Sequence, residues 1–372
     1  MTGTVIQGLI FENHPTYTSP HWQGTLLVIA NALIVLVVNI WGSRLIPWIQ
    51  NGLFCLHILL LATIVIPLWF LAPHASTTQV FATFHNGGDW QSIGLALMVG
   101  QISAIWGCLG SDAAAHMAEE VKDAGITVPK AMFWSYIANT SMGILLIITV
   151  CFAIPDLQAA LNDPSGYPFL WAMRNAFNAP APTVLTSGVL ILIFASNMSY
   201  LASTARETFA FARDQGISFD SWLGTVDKDL GVPRNALIFT TGVSIALSLV
   251  NIGSSTAFNA IISVNASAIM LSYTTSIGCV LWRRIRHPDS LPLARWSLGR
   301  WGILVNSLGL LYGVWAFFWS LWPIDREWKA SEFNWASVIF GAVAVYSALD
   351  FWWRGRHVYR GPVVLIEGRR DA

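Results

Sequence analysis

The chain has 372 residues, 55% of them hydrophobic and 11% charged, with 20 basic against 20 acidic side chains and a formal net charge of zero. A soluble domain carries about 25% charged residues, so this composition excludes a purely soluble protein. The lack of a basic excess excludes a nucleic-acid partner. Cys55, Cys108, Cys151 and Cys279 all lie in apolar stretches without CxxC spacing. That supports neither a disulfide framework nor a zinc site, and no cofactor or metal is expected.

These bounds leave an all-α polytopic membrane protein, because backbone groups inside lipid must be paired within each span. Residues 1–21 contain no Lys or Arg, so they carry no basic signal region and read as an outer segment. A span needs about 20 mostly apolar residues. Candidates fall at 22–42, 46–73, 92–117, 131–154, 183–210, 235–252, 257–282, 301–322 and 334–354, about nine in all. Trp22, Trp282, Trp301 and Trp335 stand at span ends, as interfacial anchors do. Sorting Lys and Arg into alternate loops puts 17 of the 20 on one side, with Arg174, Arg326 and Lys329 on the other. The positive-inside rule then makes the C-terminus cytoplasmic and the N-terminal segment extracellular.

His57 lies about 11 residues into the second span. Its near-neutral pKa suits proton coupling, although a lone membrane histidine is more often hydrogen-bonded and silent.

The third span is broken. "IWGCLGSDAAAHMAEEVKDAGITVPKAM", 105–132, runs from an apolar stretch ending at Trp106 into Gly107, Gly110 and Ser111, then Asp112 and His116. Ser92 to Trp106 is about 15 residues or roughly 22 Å of helix, and Asp112 to Lys122 about 11 residues or roughly 17 Å. Two half-helices joined by an unwound linker near mid-membrane fit that arithmetic. Such backbone is tolerated where it lines a cavity or water, and in transporters it marks the substrate site. Ser111 or Asp112 would cap the second half; Asp112 reads equally as a cap and as a substrate or gate contact. His116 reads first as a packed, hydrogen-bonded side chain and second as a proton relay or gate, and Trp106 equally as packing or as a gate.

Further along, the outer loop 155–182 carries five prolines and has room for a short helix at Leu157–Leu161. Ser196, Asn197, Ser199 and Ser203 form a polar stripe on the fifth span; gluing helices together is the commoner role, and a substrate contact by Asn197 the sharper one. Glu119, Glu120, Arg206, Arg213 and Asp214 sit at cytoplasmic helix ends, as solvated charges or as an inward gate. The basic loop 283–300 fixes orientation and meets anionic lipid. Gly309-x-x-x-Gly313 offers a small-residue packing face.

The broken stretch, with "TARETFAFARDQGISFDSWL" at 204–223 and the following "VPRNAL", resembles the amino acid–polyamine–organocation superfamily. Within it the match is to fungal amino acid/choline transporters, including 4-aminobutyrate and choline permeases. The resemblance runs from "WQGTLLVIANALIVLVVNIWGSRLIPWIQNG" through the last span. It implies a twelve-span inverted-repeat fold whose first and sixth helices are broken at the midplane. In that frame the broken stretch is helix six, Trp106 the gating aromatic, Gly107 to Gly110 the unwound linker, and Asp112 the acidic position. Residues 183–210 take the place of helix eight, and Val128-Pro129-Lys130 opens helix seven. The resemblance also implies that the chain starts just before helix four, so that the Gly-rich turn of helix one, which holds a substrate carboxylate, lies outside it.

The resulting domain reading is an outer segment 1–21, a transporter domain 22–354 (helices four to twelve) and a cytoplasmic tail 355–372. The functional reading is a secondary active transporter of amino acids, 4-aminobutyrate, choline or polyamine, with proton-coupled uptake. Trp106 would close over the solute, the 107–111 backbone would take its ammonium, and Asp112 would tune the site. The expected partners are a small amine or amino acid, protons and membrane lipid. The plasma membrane is the expected location and the vacuolar membrane the alternative. A different class stands beside this reading: a truncated, non-transporting membrane protein serving as partner, sensor or inactive fragment. An intramembrane enzyme is set aside, because His57 and Asp112 cannot make a nucleophile dyad.

Overall fold

The computed structural model describes residues 2–253, 255–291, 294–327, 333–359 and 361, without the side chains of 255–263. Lys329, Arg360, Arg369 and Arg370 of the charge sorting, and residues 362–372 of the tail, lie outside the described residues.

The helices, in chain order, are α1 (Thr2–Asn13), α2 (His21–Trp41), α3 (Ile46–Leu71), α4 (Thr77–Phe81), α5 (Ile93–Trp106), α6 (Ala113–His116), α7 (Ala124–Phe152) and α8 (Leu157–Leu161). They continue with α9 (Pro168–Ala176), α10 (Ala181–Arg213), α11 (Asp220–Leu223), α12 (Arg234–Gly253), α13 (Ser255–Arg286), α14 (Gly302–Ser320), α15 (Ala336–Asp350) and α16 (Arg356–Val358). No strand occurs among the described residues. Among the described residues eight helical segments are long and apolar enough to cross a membrane, and α5 is a shorter apolar helix of 14 residues. Eight of the nine expected spans are therefore full-length helices, and the ninth is the broken one. The short helix expected at Leu157–Leu161 is α8.

Contacts divide the chain into two units, the first comprising 1–66, 161–253 and 343–372, the second 67–160 and 254–342.

In the first unit α2 packs on both α10 and α12. Ile40 is buried with Ala205, Val232, Ala236 and Leu237, and Val35 with Ala195 and Met198. These pairs make α2 parallel to α10. α3 runs antiparallel to α10: Gln50 donates to Ala195 O at 3.2 Å and to Ser199 Oγ at 2.9 Å, while Leu60, ten residues on, sits against Gly188. The segment 1–21 holds α1, which also runs antiparallel to α10. Asn197 Nδ2 donates to Thr2 Oγ1 at 2.9 Å at its start, and Asn13 Nδ2 to Thr183 Oγ1 at 3.3 Å at its end. Gly3 allows α1 to lie close on α2, since a Cβ there would stand 2.7 Å from Gly24 O. Arg44, Arg213, Lys228 and Arg234 consequently share one end of this unit. Arg354 joins them by donating to Gln215 O at 3.4 Å.

In the second unit α13 and α14 are the most extensively packed pair, running antiparallel. Ser267 and Ser320 hydrogen-bond at 2.9 Å, and Met270 packs on Ala316. The Gly309/Gly313 face does meet a helix: a Cβ on Gly313 would lie 2.6 Å from Thr274 Oγ1, and one on Gly309 3.6 Å from Ile277 Cδ1. α5 lies along α14, its start tied to the far end by Trp90 Nε1 donating to Ile324 O at 3.1 Å and Arg326 N to Gly88 O at 2.9 Å. At the opposite end Arg295 pairs with Asp123. The last turn of α3 docks on α7, where Trp69 Nε1 donates to Thr149 Oγ1 at 3.0 Å.

Candidate functional site

α5 starts at Ser92, whose hydroxyl accepts from Leu95 N at 3.3 Å as an N-cap. Its last turn is anchored by Ile105, 7% exposed, against Met270 and Ala316, with Leu109 beyond it on the same cluster. Trp106 points elsewhere and is 43% exposed. The helix then stops. Residues 107–112 form successive turns, and Gly110 carries φ +91°, a conformation that glycine adopts without steric cost.

The turns leave acceptors over. Cys108 N donates to Ile105 O at 2.8 Å, Leu109 N to Trp106 O at 3.4 Å, and Ala113 N to Gly110 O at 3.2 Å. The carbonyls of Gly107, Cys108 and Leu109 accept no backbone hydrogen bond among the described residues. They follow the negative end of the α5 dipole, so this point of the chain favours a cation.

Two sequence expectations change here. Asp112 does not cap: its backbone is helical (φ −76°, ψ −10°) and its side chain makes no cap bond. A capping residue needs an extended backbone to reach the first-turn amides. Asp112 instead accepts from His116 Nε2 at 3.2 Å, both side chains about 30% exposed (31% and 28%). The second half-helix expected over 112–122 is also only α6, four residues, followed by a 3-10 turn at Ala118–Glu120. Glu119 and Glu120 put negative charge at the carbonyl end of α6, which disfavours its extension. Asp123 then takes a left-handed backbone (φ +56°), and α7 begins at Ala124, five residues before Pro129 and seven before the expected start.

The structure thus brings Trp106, Gly107, Gly110, Ser111, Asp112 and His116 together in one unit, with the exposed Glu119 and Glu120 following. His57, Asn197, Arg206 and Arg213 belong to the other unit. There Asn197 and Ser199 join α10 to α1 and α3, the gluing role. Arg206 donates to Ala202 O at 3.0 Å, Arg213 pairs with Asp214 at 3.4 Å, and His57 is half-buried on α3. No group of three or more His, Cys, Asp or Glu able to hold a metal occurs among the described residues.

Sequence reading missed several polar anchors. Asn39, 3% exposed, donates to Val35 O and Met198 O at 2.9 and 3.2 Å. Lone amides in apolar runs were the available signal for Asn39 and Gln50. The loop 155–182 is also more ordered than its prolines suggest: α9 buries Leu170, Ala172 and Met173. Arg174 pairs with Glu12 at 3.0 Å and with Asp163. Burial alone would raise the Asp163 carboxyl, but hydrogen bonds from Ser165 and Arg174 outweigh it and hold the group below the usual carboxylate range.

Comparison with known proteins matches residues 1–345 to a family described as amino acid permease. The choline transporter of Saccharomyces cerevisiae is 27% identical over 359 residues, 95% of this chain and 62% of its own length. Amino-acid permease 2 of Neurospora crassa is 26% identical over 95% of this chain and 64% of its own. An amino acid/polyamine transporter of Macrophomina phaseolina is 27% identical over 88% of this chain and 74% of its own. The chain therefore spans about two thirds of the length of these relatives.

Proposed function

The chain belongs to the amino acid permease family, and on that premise we propose that it is a secondary transporter of a small amine-bearing solute, an amino acid or a choline-like cation. The family moves solutes across membranes and comprises transporters, not enzymes. The observation that carries the proposal is the break after Trp106, where the unpaired carbonyls of Gly107, Cys108 and Leu109 follow the α5 C-terminus. An ammonium group is the natural guest for those oxygens. Trp106 supplies an exposed ring for a cation–π contact and a gate, and the Asp112 carboxylate adds negative potential. His57, Asn197, Arg206 and Arg213 are further candidates for coupling, substrate contact or gating. Uptake is coupled to protons, in the plasma membrane, with the arginine-rich helix ends and the C-terminus cytoplasmic.

The test is uptake of labelled choline, 4-aminobutyrate and an amino-acid panel by the full chain in a host lacking these permeases, with membrane insertion checked by fractionation. Saturable uptake that a protonophore abolishes and Trp106→Ala cuts supports the proposal. An inserted, folded protein that accumulates none of them supports the non-transporting alternative instead.

A further inference from the structure

Residues 282–301 carry Arg283, Arg284, Arg286, Arg295 and Arg300 against a single carboxylate, Asp289. They link two membrane-length helices, α13 and α14, so the linker lies at a membrane face. Three of these arginines are engaged by the protein. Arg295 pairs with Asp123, Arg283 Nε donates to Ser290 Oγ at 3.1 Å, and Arg284 folds over Gly302, where a Cβ would meet its Nη1 at 1.5 Å. Arg286 and Arg300 have no carboxylate partner among the described residues. Each stands two residues from the Arg284–Gly302 contact, so they flank one junction.

The helix dipole accounts for Arg286, in the last turn of α13, but not for Arg300. That residue lies in the 3-10 turn Gly299–Trp301 that feeds the N-terminus of α14, where the dipole opposes a cation. Exposed apolar side chains accompany both: Trp282 (60%), Ile285 (56%) and Trp301 (56%). Trp282, Ile285 and Arg286 are three and four residues apart along α13, hence on one face. The Arg300 guanidinium lies 5.3 Å from the Trp301 ring. A free anion has no use for the rings, whereas a phospholipid uses both, its phosphate on the guanidinium and its acyl chain along the aromatic.

We propose that Arg286 and Arg300, with Trp282, Ile285 and Trp301, form a docking surface for anionic phospholipid. This inference is independent of the transport reading. Each basic residue at an anionic surface strengthens association about fivefold, so replacing both lowers it on the order of 25-fold. Purified full-length protein is titrated with phosphatidylserine and with phosphatidylcholine, counting lipid adducts by native mass spectrometry. The expected result is retained phosphatidylserine, weak phosphatidylcholine, and a loss of about 25-fold in Arg286→Gln/Arg300→Gln, whose lipid-free melting temperature matches wild type. Trp282→Ala/Trp301→Ala weakens the lipid further. Equal binding of the two lipids, an unaffected arginine variant, or displacement of phosphatidylserine by inorganic phosphate would each overturn the proposal.

Discussion

His116 donates from Nε2 to the Asp112 carboxylate, one turn before it, at 3.2 Å, just beyond the glycine that swings the backbone through φ +91°. The carboxylate is thereby held by its own short helix and keeps 28% of its side-chain surface exposed, so further acceptor sites remain for an incoming cation. Asp112→Asn removes the charge but not the shape. A hydrogen bond to a charged group contributes about 1.5–3 kcal/mol, so kcat/KM for a cationic solute is expected to fall on the order of tenfold to 100-fold. His116→Gln retains a donor and changes it little. Uptake kinetics of the two variants side by side check this.

Gly110 and Gly107 are not equivalent. A non-glycine residue held in a sparsely populated backbone region costs about 1–3 kcal/mol, and Gly110→Ala meets that at φ +91°. Gly107 has ordinary helical angles, with the nearest atom 3.6 Å from an added Cβ. Gly110→Ala is expected to lose most uptake with normal insertion, and Gly107→Ala to keep it.

Close helix packing in the second unit rests on Gly313. A side chain there meets Thr274 Oγ1 at 2.6 Å before any larger atoms are added. Overpacking of this kind costs about 1–3 kcal/mol, so Gly313→Leu lowers the melting temperature in detergent. Gly341→Ala, with nothing within 4 Å, does not.

The Arg174 knot on the loop 155–182 gives a pH dependence of defined sign. The folded Asp163 pKa is depressed, so its contribution is present above the unfolded value of about 3.9. It is lost as the pH falls through the lower folded value. Protease nicking of residues 155–182 is therefore expected to rise on acidification below about pH 4. Asp163→Asn is nicked faster already at neutral pH and loses that dependence.

Much of this architecture follows from one-dimensional pattern. Apolar runs of span length located every long helix, because backbone pairing in lipid leaves helix as the only solution for them. Gly-x-x-Gly-Ser-Asp located the break, because glycine takes positive-φ backbone without steric cost. The placement of Arg44, Arg213, Arg234 and Arg354 at one end of their unit follows from alternation alone. What pattern did not reveal is what each polar group holds. Asp112 has the residue type and position of a cap, yet its helical backbone turns it to His116. Asn197 stands in a polar stripe, and nothing in its spacing shows that its amide donates to Thr2, 195 positions away.

The sequence by itself determined the solvent, the spans, the break and its glycines, since hydropathy and backbone sterics are local properties. Only the tertiary structure decided the partners of Asp112, Asn197, Arg174 and Gly313. A hydrogen bond or a close approach is set by which residue another segment presents, and no spacing along the chain records that.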